Sequence, residues 1–337
     1  MASHAATVLG PLHPVSYNEA MPKFCERNPK FHQPLVLLGQ QRDVPRLQSV
    51  LERCNISGPV GLVSAGWEED EDDDQWVRDA VDVPVINSQL YGLADQLFQQ
   101  DPQVIELLRE RQDRLRELRE INELQTEHLC TVARELWRRL ASHAGALVPL
   151  QQTFEQLRTV DDSYLEAITT IIVEYDQRIA PKERPSVLEY RHKVLERLQD
   201  CQALLIAGGH VGVLLNRLNL CRLFQHIQLP IIAWSGGAMA LGERVYFYDQ
   251  FLPHTKREVE LSRRGMCLFS GAQLFPRASQ RLQLHDSLEL GILSRRMKSP
   301  CLLLDEHSEM AWSENGELHA ANVRYINELG ETKEWTP

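Results

Sequence analysis

The chain has 337 residues, of which 43% are hydrophobic and 25% charged, and its formal net charge is −11. A chain of this size and balance can bury a large core, but an acidic one gains nothing from the counterion release that drives nucleic-acid binding, so no nucleic-acid partner is expected. No stretch approaches the roughly 20 apolar residues of a membrane helix, which argues against a membrane partner, and Met1–Ala20 lacks a basic start followed by an apolar run, so no secretory signal is expected.

The seven cysteines are scattered, with no CxxC pair. This speaks against a disulfide framework or a zinc site and for a reducing, cytoplasmic location. Neither a metal nor a cofactor is indicated.

In chain order, residues 1–30 read as an irregular arm broken by prolines. Residues 31–100 read as the first part of an α/β domain. Pro34–Gly39 is a short continuous apolar run ending in glycine, as expected of a strand buried on both faces. Val44, Leu47, Val50 and Leu51 then follow helical spacing. Pro59–Gly66 is a second buried strand, which breaks into Trp67 and the acidic run Glu68–Asp74. That run lacks the glycine and spaced ligands of a calcium loop and reads as solvated. Val83–Ile86 is a third strand. Buried strands separated by helices point to an α/β fold with a doubly wound parallel sheet.

Residues 101–200 change character and read as a helical insertion. Asp101-Pro102 has the form of an N-cap with proline at the first helical position. Ile105, Leu108, Leu115, Leu118, Ile121 and Leu124 form an apolar stripe. Further helices are predicted at about 129–146, 149–158, 162–178 and 186–199, with breaks at Thr159–Asp162 and Ala180–Lys182. The block is a candidate lid, a homo-oligomer interface through its stripe, a surface for another partner, or a bundle packed on the sheet.

Residues 201–337 read as the second part of the α/β domain. Ala203–Gly209 is a strand, Val211–His226 a helix and Pro230–Ser235 the next strand. Shorter segments follow at Arg244–Tyr248 and Met266–Phe269, then a helix near 283–298 and strands at Cys301–Asp305 and Glu309–Trp312. Asn315-Gly316 is a hairpin signal, leading to a last strand near Leu318–Ile326.

The strongest chemical feature is Ala233-Trp234-Ser235-Gly236-Gly237. It has the small-x-Ser-x-Gly form of a nucleophile elbow, where small residues permit a sharp strand-to-helix turn. Such a turn lifts the Ser235 hydroxyl above the sheet and places the Gly236 N–H beside it as an oxyanion donor. Gly208-Gly209 ends the preceding strand, and adjacent strand ends meet at the carboxyl edge where ligands bind. Arg42 and Trp67 belong to loops at the same edge, where a guanidinium would attract a carboxylate and an indole would wall a pocket.

The segments Leu204–Gly209 and Leu229–Ala240 resemble the aspartyl dipeptidase (peptidase E) and cyanophycinase family of serine peptidases. That resemblance covers about 203–312 and implies a class I glutamine amidotransferase-like, flavodoxin-like fold. It implies hydrolysis of small peptides next to acidic residues by a Ser nucleophile, a His base and an acidic orienter. Carried over, Ser235 is the nucleophile, Gly236 an oxyanion donor, Gly208 and Gly209 the glycine turn, and Asp249 the acid. Two positions depart from the family pattern. Leu274 stands where the base is expected, and His210 replaces the asparagine of the glycine turn. The compensating bases to consider are His210, His254 and His285, the last followed by Asp286. Without a base the serine stays a weak nucleophile, so the alternative is a catalytically degenerate member that binds a ligand or a protein partner.

Overall fold

The computed structural model describes residues 25–251 and 258–337. Most of the predicted arm lies outside the described residues. At its end, Glu26–Arg27 pairs antiparallel with Phe269–Ser270.

The first half of the chain runs β1 (Leu35–Leu38), α1 (Leu47–Arg53), β2 (Val60–Val63), β3 (Val85–Asn87) and α2 (Leu90–Gln100). Three long helices follow: α3 (Pro102–Leu140), α4 (Leu147–Ile179) and α5 (Pro185–Leu198). Then come β4 (Ala203–Ile206), α6 (Val211–Cys221), β5 (Ile231–Trp234), the short α7 (Gly236–Ala240), β6 (Arg244–Phe247) and β7 (Glu260–Arg264). The chain closes with β8 (Gln273–Pro276), α8 (Ser287–Arg296), β9 (Cys301–Leu304), β10 (Glu309–Trp312), β11 (Leu318–Ala321), β12 (Arg324–Ile326) and β13 (Thr332–Glu334).

The molecule is α/β, built on a seven-stranded sheet of order β11-β10-β1-β5-β4-β2-β3. Strands β1 to β5 are mutually parallel, and β10 and β11 extend the β1 edge antiparallel. The continuous apolar runs have a direct cause. In β1, Leu35 and Leu37 enter the core on one face, while Val36 and Leu38 enter the core on the other. A strand covered on both sides cannot alternate apolar with polar residues. From β2 the chain steps outward to β3, whereas β4 and β5 lie on its other side, so the strand order reverses between β2 and β4. That reversal opens a crevice at the carboxyl ends of these strands.

The helical block departs from its predicted form in two ways. Residues 102–140 are one helix and 147–179 another, with no interruption at Thr159–Asp162. At 39 residues, α3 is about 58 Å long. Asp161, whose neighbourhood reads locally as a helix break, is buried in mid-helix. Its carboxylate accepts a bidentate pair of bonds from Arg296 of α8 at 2.6 and 2.8 Å, and each side chain is only 2% exposed. Asp162 pairs with Arg244 and Lys298. The break at 180–182 is present, with Ala180 in the left-handed region at φ 50°.

The apolar stripe also drifts off the buried face. Leu115 is buried, but Ile121 and Leu124 are 61% and 58% exposed, and Asn122 and Thr126 point inward instead. The hairpin packs within this chain. Cys130, Ala133, Leu150, Phe154 and Leu157 close on Ile292 of α8, and Tyr164, Leu165 and Ile168 join the main core. Each fully buried leucine here contributes roughly 1.5–3 kcal/mol.

Two other expectations are corrected. The acidic run is not simply solvated: Glu71 and Asp74 are buried. Glu71 accepts from the N–H groups of Tyr91 and Gly92 at the start of α2, and Asp74 binds Arg78. The predicted final strand divides at Asn322 (φ 54°) into β11 and β12, which belong to different sheets. No helix among the described residues is long and apolar enough to cross a membrane.

Candidate active site

Strand β5 ends at Trp234, and the next residue turns the chain sharply into α7. Ser235 has φ 50° and ψ −129°, a conformation that costs a non-glycine residue of order 1–3 kcal/mol. Its surroundings hold it there. The Ser235 N–H donates to Leu38 of β1 at 3.1 Å, continuing the sheet ladder, and its carbonyl accepts from Met239 at 3.2 Å. Gly237 has no room for a side chain, since a Cβ there would lie 2.4 Å from the Ile206 carbonyl oxygen. The side chain of Ser235 is half-buried and faces the crevice.

The second glycine corner lies where the sequence places it. A Cβ on Gly208 would lie 2.9 Å from the Ser235 Cβ and 3.0 Å from the Gly236 nitrogen. Gly209 has φ 104°, and a Cβ there would meet the Gly66 carbonyl oxygen at 2.2 Å. His210 N–H donates to that same carbonyl at 2.6 Å, which ties the loop after β4 to the loop after β2. Gly236 opens α7, so its N–H has no acceptor within the helix.

Around these corners is a pocket of about 910 Å³. Ser235, Gly208, Gly209, His210, Gly236 and Asp249 all line it, as do Arg42 and Trp67. Trp67, Trp76 and Trp234 form one aromatic wall, with successive ring centroids 6.0 and 5.9 Å apart. The hairpin supplies the opposite wall through Arg119 and Glu123 of α3. Arg119 donates to Glu123 at 2.9 Å and to Glu260 at 2.9 Å, and Glu258 is held by Arg134 at 2.7 Å. Burial raises the Glu260 carboxyl even with Arg119 beside it. The sheet side is different. Among the described residues neither Arg42 nor Arg277 has an ion-pair partner, and the Arg277 Nε donates to Gln280. That side therefore offers cationic donors to an anionic group.

The three candidate bases fare differently. His285 is exposed in the turn before α8 and is not among the residues lining the pocket. Asp286 does not orient it but caps α8, accepting from the Glu289 N–H at 3.1 Å. His210 does line the pocket, but it is the N-cap of α6, with Nδ1 accepting from the Val213 N–H at 3.1 Å. In the neutral ring this puts the proton on Nε2, which is then a donor. His254 lies outside the described residues. Asp249 lines the pocket, accepts from Phe251 N–H at 3.3 Å and stands 4.0 Å from Arg281.

Leu274, expected at the base position, is buried within β8 opposite Leu302 of β9. The chain reaches the pocket two and three residues later, at Pro276 and Arg277, with Arg277 in the left-handed region at φ 57°. The Arg277 guanidinium carries hydrogen-bond donors and no acceptor. Sequence reasoning missed Arg277, Trp76 and Arg119. Arg277 leaves one signal, a basic residue directly after the proline that ends an apolar strand. Trp76 and Arg119 come from outside the parallel-strand ends and leave none.

The site can therefore hold an anionic group on its sheet side and present the Ser235 hydroxyl with glycine N–H groups around it. Comparison of the chain with protein-family models and with curated proteins returned no match.

Proposed function

We propose that the chain is a serine hydrolase-like protein of the peptidase E and cyanophycinase type, on the class I glutamine amidotransferase-like fold, with Ser235 as nucleophile toward a small peptide or other carboxylate-bearing substrate. The observation that carries this reading is the strained Ser235 backbone, held between two facing glycine corners at the mouth of a large pocket. Strain of this kind persists only where the surroundings over-determine it. In the acyl transfer, Ser235 Oγ loses its proton and bonds the scissile carbonyl carbon, the C–N bond breaks, and water then releases the acyl group as a carboxylic acid and restores the serine. The oxyanion is stabilised by the Gly236 N–H and the Gly208-Gly209 corner, and the proton passes to the departing amine. Arg277 and Arg42 hold the substrate carboxylate.

A fluorophosphonate probe tests this directly. Intact-mass analysis should show one adduct on the folded protein between pH 6 and 9, absent from Ser235→Ala. No adduct on folded wild-type protein at any pH in that range would overturn the reading.

A second reading, a pocket that binds without turnover, is favoured by one observation: the β8 strand end presents Arg277, which cannot act as a base. It predicts no probe adduct, together with carboxylate binding that survives Ser235→Ala and weakens in Arg277→Gln.

A further inference from the structure

We infer that Arg111 and Arg263 form a second ligand site, for a small dianionic oxyanion of the phosphate class, in the seam between the helical hairpin and the α/β body. This does not rest on the reading of Ser235. Three elements meet there. Arg111 comes from α3, Asn216 from α6 and Arg263 from β7. Both guanidiniums donate to one acceptor, the Asn216 Oδ1, Arg111 from 3.2 Å and Arg263 from 2.7 Å. The Nε of each arginine is buried and has no hydrogen-bond acceptor. Arg111 is only 8% exposed.

Charge compensation is missing at this point. Among the described residues neither arginine has a carboxylate within ion-pair distance. Asp176 acts on Arg111 at longer range, but its ion-pair partner, at 3.7 Å, is Arg222. The nearby Tyr164 hydroxyl donates to the Ser262 carbonyl at 3.4 Å. Burial, and then the positive charge of Arg111, push Arg263 down to about 10. That still leaves Arg263 cationic at neutral pH, so proton loss there does not relieve the pair. A buried charge without a partner is strongly unfavourable. Of the other two arginines as deeply buried, Arg296 is matched with a bidentate carboxylate, and Arg191 donates to the Cys221 and Pro181 carbonyls at 2.7 and 2.6 Å.

The ligand class follows from charge and shape. The Asn216 carbonyl has two lone pairs, and both are engaged, whereas each guanidinium carries five N–H donors. A planar carboxylate serves one guanidinium in its own plane. Two guanidiniums arriving from different elements call for acceptors in more than one plane, as a tetrahedral oxyanion provides. A phosphate group carries about −1.5 to −2 at pH 7, which balances two arginines. Arg263 and Asn216 are half-buried, so part of each borders solvent.

The test is thermal unfolding of the full chain at pH 7.5, in inorganic phosphate and in chloride of equal ionic strength. Phosphate should raise the midpoint saturably above chloride. Arg263→Gln should weaken that response at least tenfold, since a charged hydrogen bond is lost. In chloride the same variant should unfold at a temperature equal to or above wild type. Arg277→Gln should keep the phosphate response, which separates this site from the Ser235 pocket. The inference is overturned if wild type shows no phosphate-specific rise, if Arg263→Gln keeps it, or if only Arg277→Gln loses it. Arg111→Gln provides the same reading should Arg263→Gln fail to fold. If neither variant folds in chloride, both arginines are structural and the inference is equally overturned.

Discussion

Two regions of this molecule hold unfavourable arrangements in place by opposite means. At the elbow the cost is in the backbone: Ser235 is bent into φ 50° next to a solvent-reached pocket, and backbone bonds to Leu38 and Met239 keep it there. At the hairpin joint the cost is in desolvated charge. Asp161 and Arg296 are both removed from water, and each satisfies the other, with the Val259 carbonyl taking a further Arg296 donor at 2.6 Å. The difference teaches where each arrangement is vulnerable. The elbow depends on the absence of side chains at Gly208, Gly209 and Gly237. The joint depends on two particular side chains being present together.

The largest effect is expected from breaking the joint. Asp161→Ala leaves the Arg296 guanidinium buried without its carboxylate. Removing one partner of such a pair costs about 3–5 kcal/mol, visible as a lowered midpoint in urea unfolding. The double variant Asp161→Leu with Arg296→Met should recover most of that loss, because an apolar pair of similar volume needs no desolvation. If Asp161→Ala alone were nearly neutral, the joint would not be the fixed point of the hairpin, and the contrast with the elbow would fail.

The same contrast explains what could be read from the chain in advance. Strands β1, β2, β4 and β5 fall inside the predicted runs because burial on both faces makes their sequences continuously apolar. The elbow and the glycine corners are legible because the steric demand for glycine is local. The hairpin is less so. Asp161 and Asp162 resemble a helix boundary, and what overrides that local preference is Arg296, 135 residues away. Ile121 and Leu124 continue the stripe on paper, but over a helix of this length an apolar pattern slips around the cylinder unless its repeat matches the helix period. The end of β8 is also set by distant pairing. Leu274 fits the motif by spacing, yet the register of β8 against β9 buries it and carries Arg277 to the pocket.

A smaller effect, opposite in sign, is expected at the elbow. Ser235→Gly removes the Cβ that makes φ 50° costly. Relief of strain worth roughly 1–3 kcal/mol, set against the roughly 0.5–1 kcal/mol that glycine loses to unfolded-state entropy, leaves a net gain of about 1 kcal/mol. Ser235→Ala keeps the Cβ and should gain nothing. Denaturation midpoints of the two variants sharpen the comparison: glycine no more stable than alanine would mean that the elbow holds no strain.

The smallest effect lies at a carboxylate that belongs to neither pattern. Glu71 is buried like Asp161, but its ligands are backbone N–H groups of Tyr91 and Gly92 rather than a cation. Burial raises its pKa, those two bonds oppose the rise, Asp72 adds to it and the charge of Arg217 opposes it at longer range. A carboxyl whose folded pKa is raised contributes stability that is present below its unfolded value, about 4.3, and is lost as pH climbs through the folded value. Glu71→Gln keeps an oxygen for the same donors and carries no charge. It should therefore be slightly more stable than wild type at pH 7, by less than about 1 kcal/mol, and the two should converge as pH falls toward 4. Midpoints measured across that window decide which force dominates. A variant less stable than wild type at pH 7 would mean that the start of α2 favours the charge more strongly than burial opposes it, so that backbone donors there replace the cation that Asp161 requires.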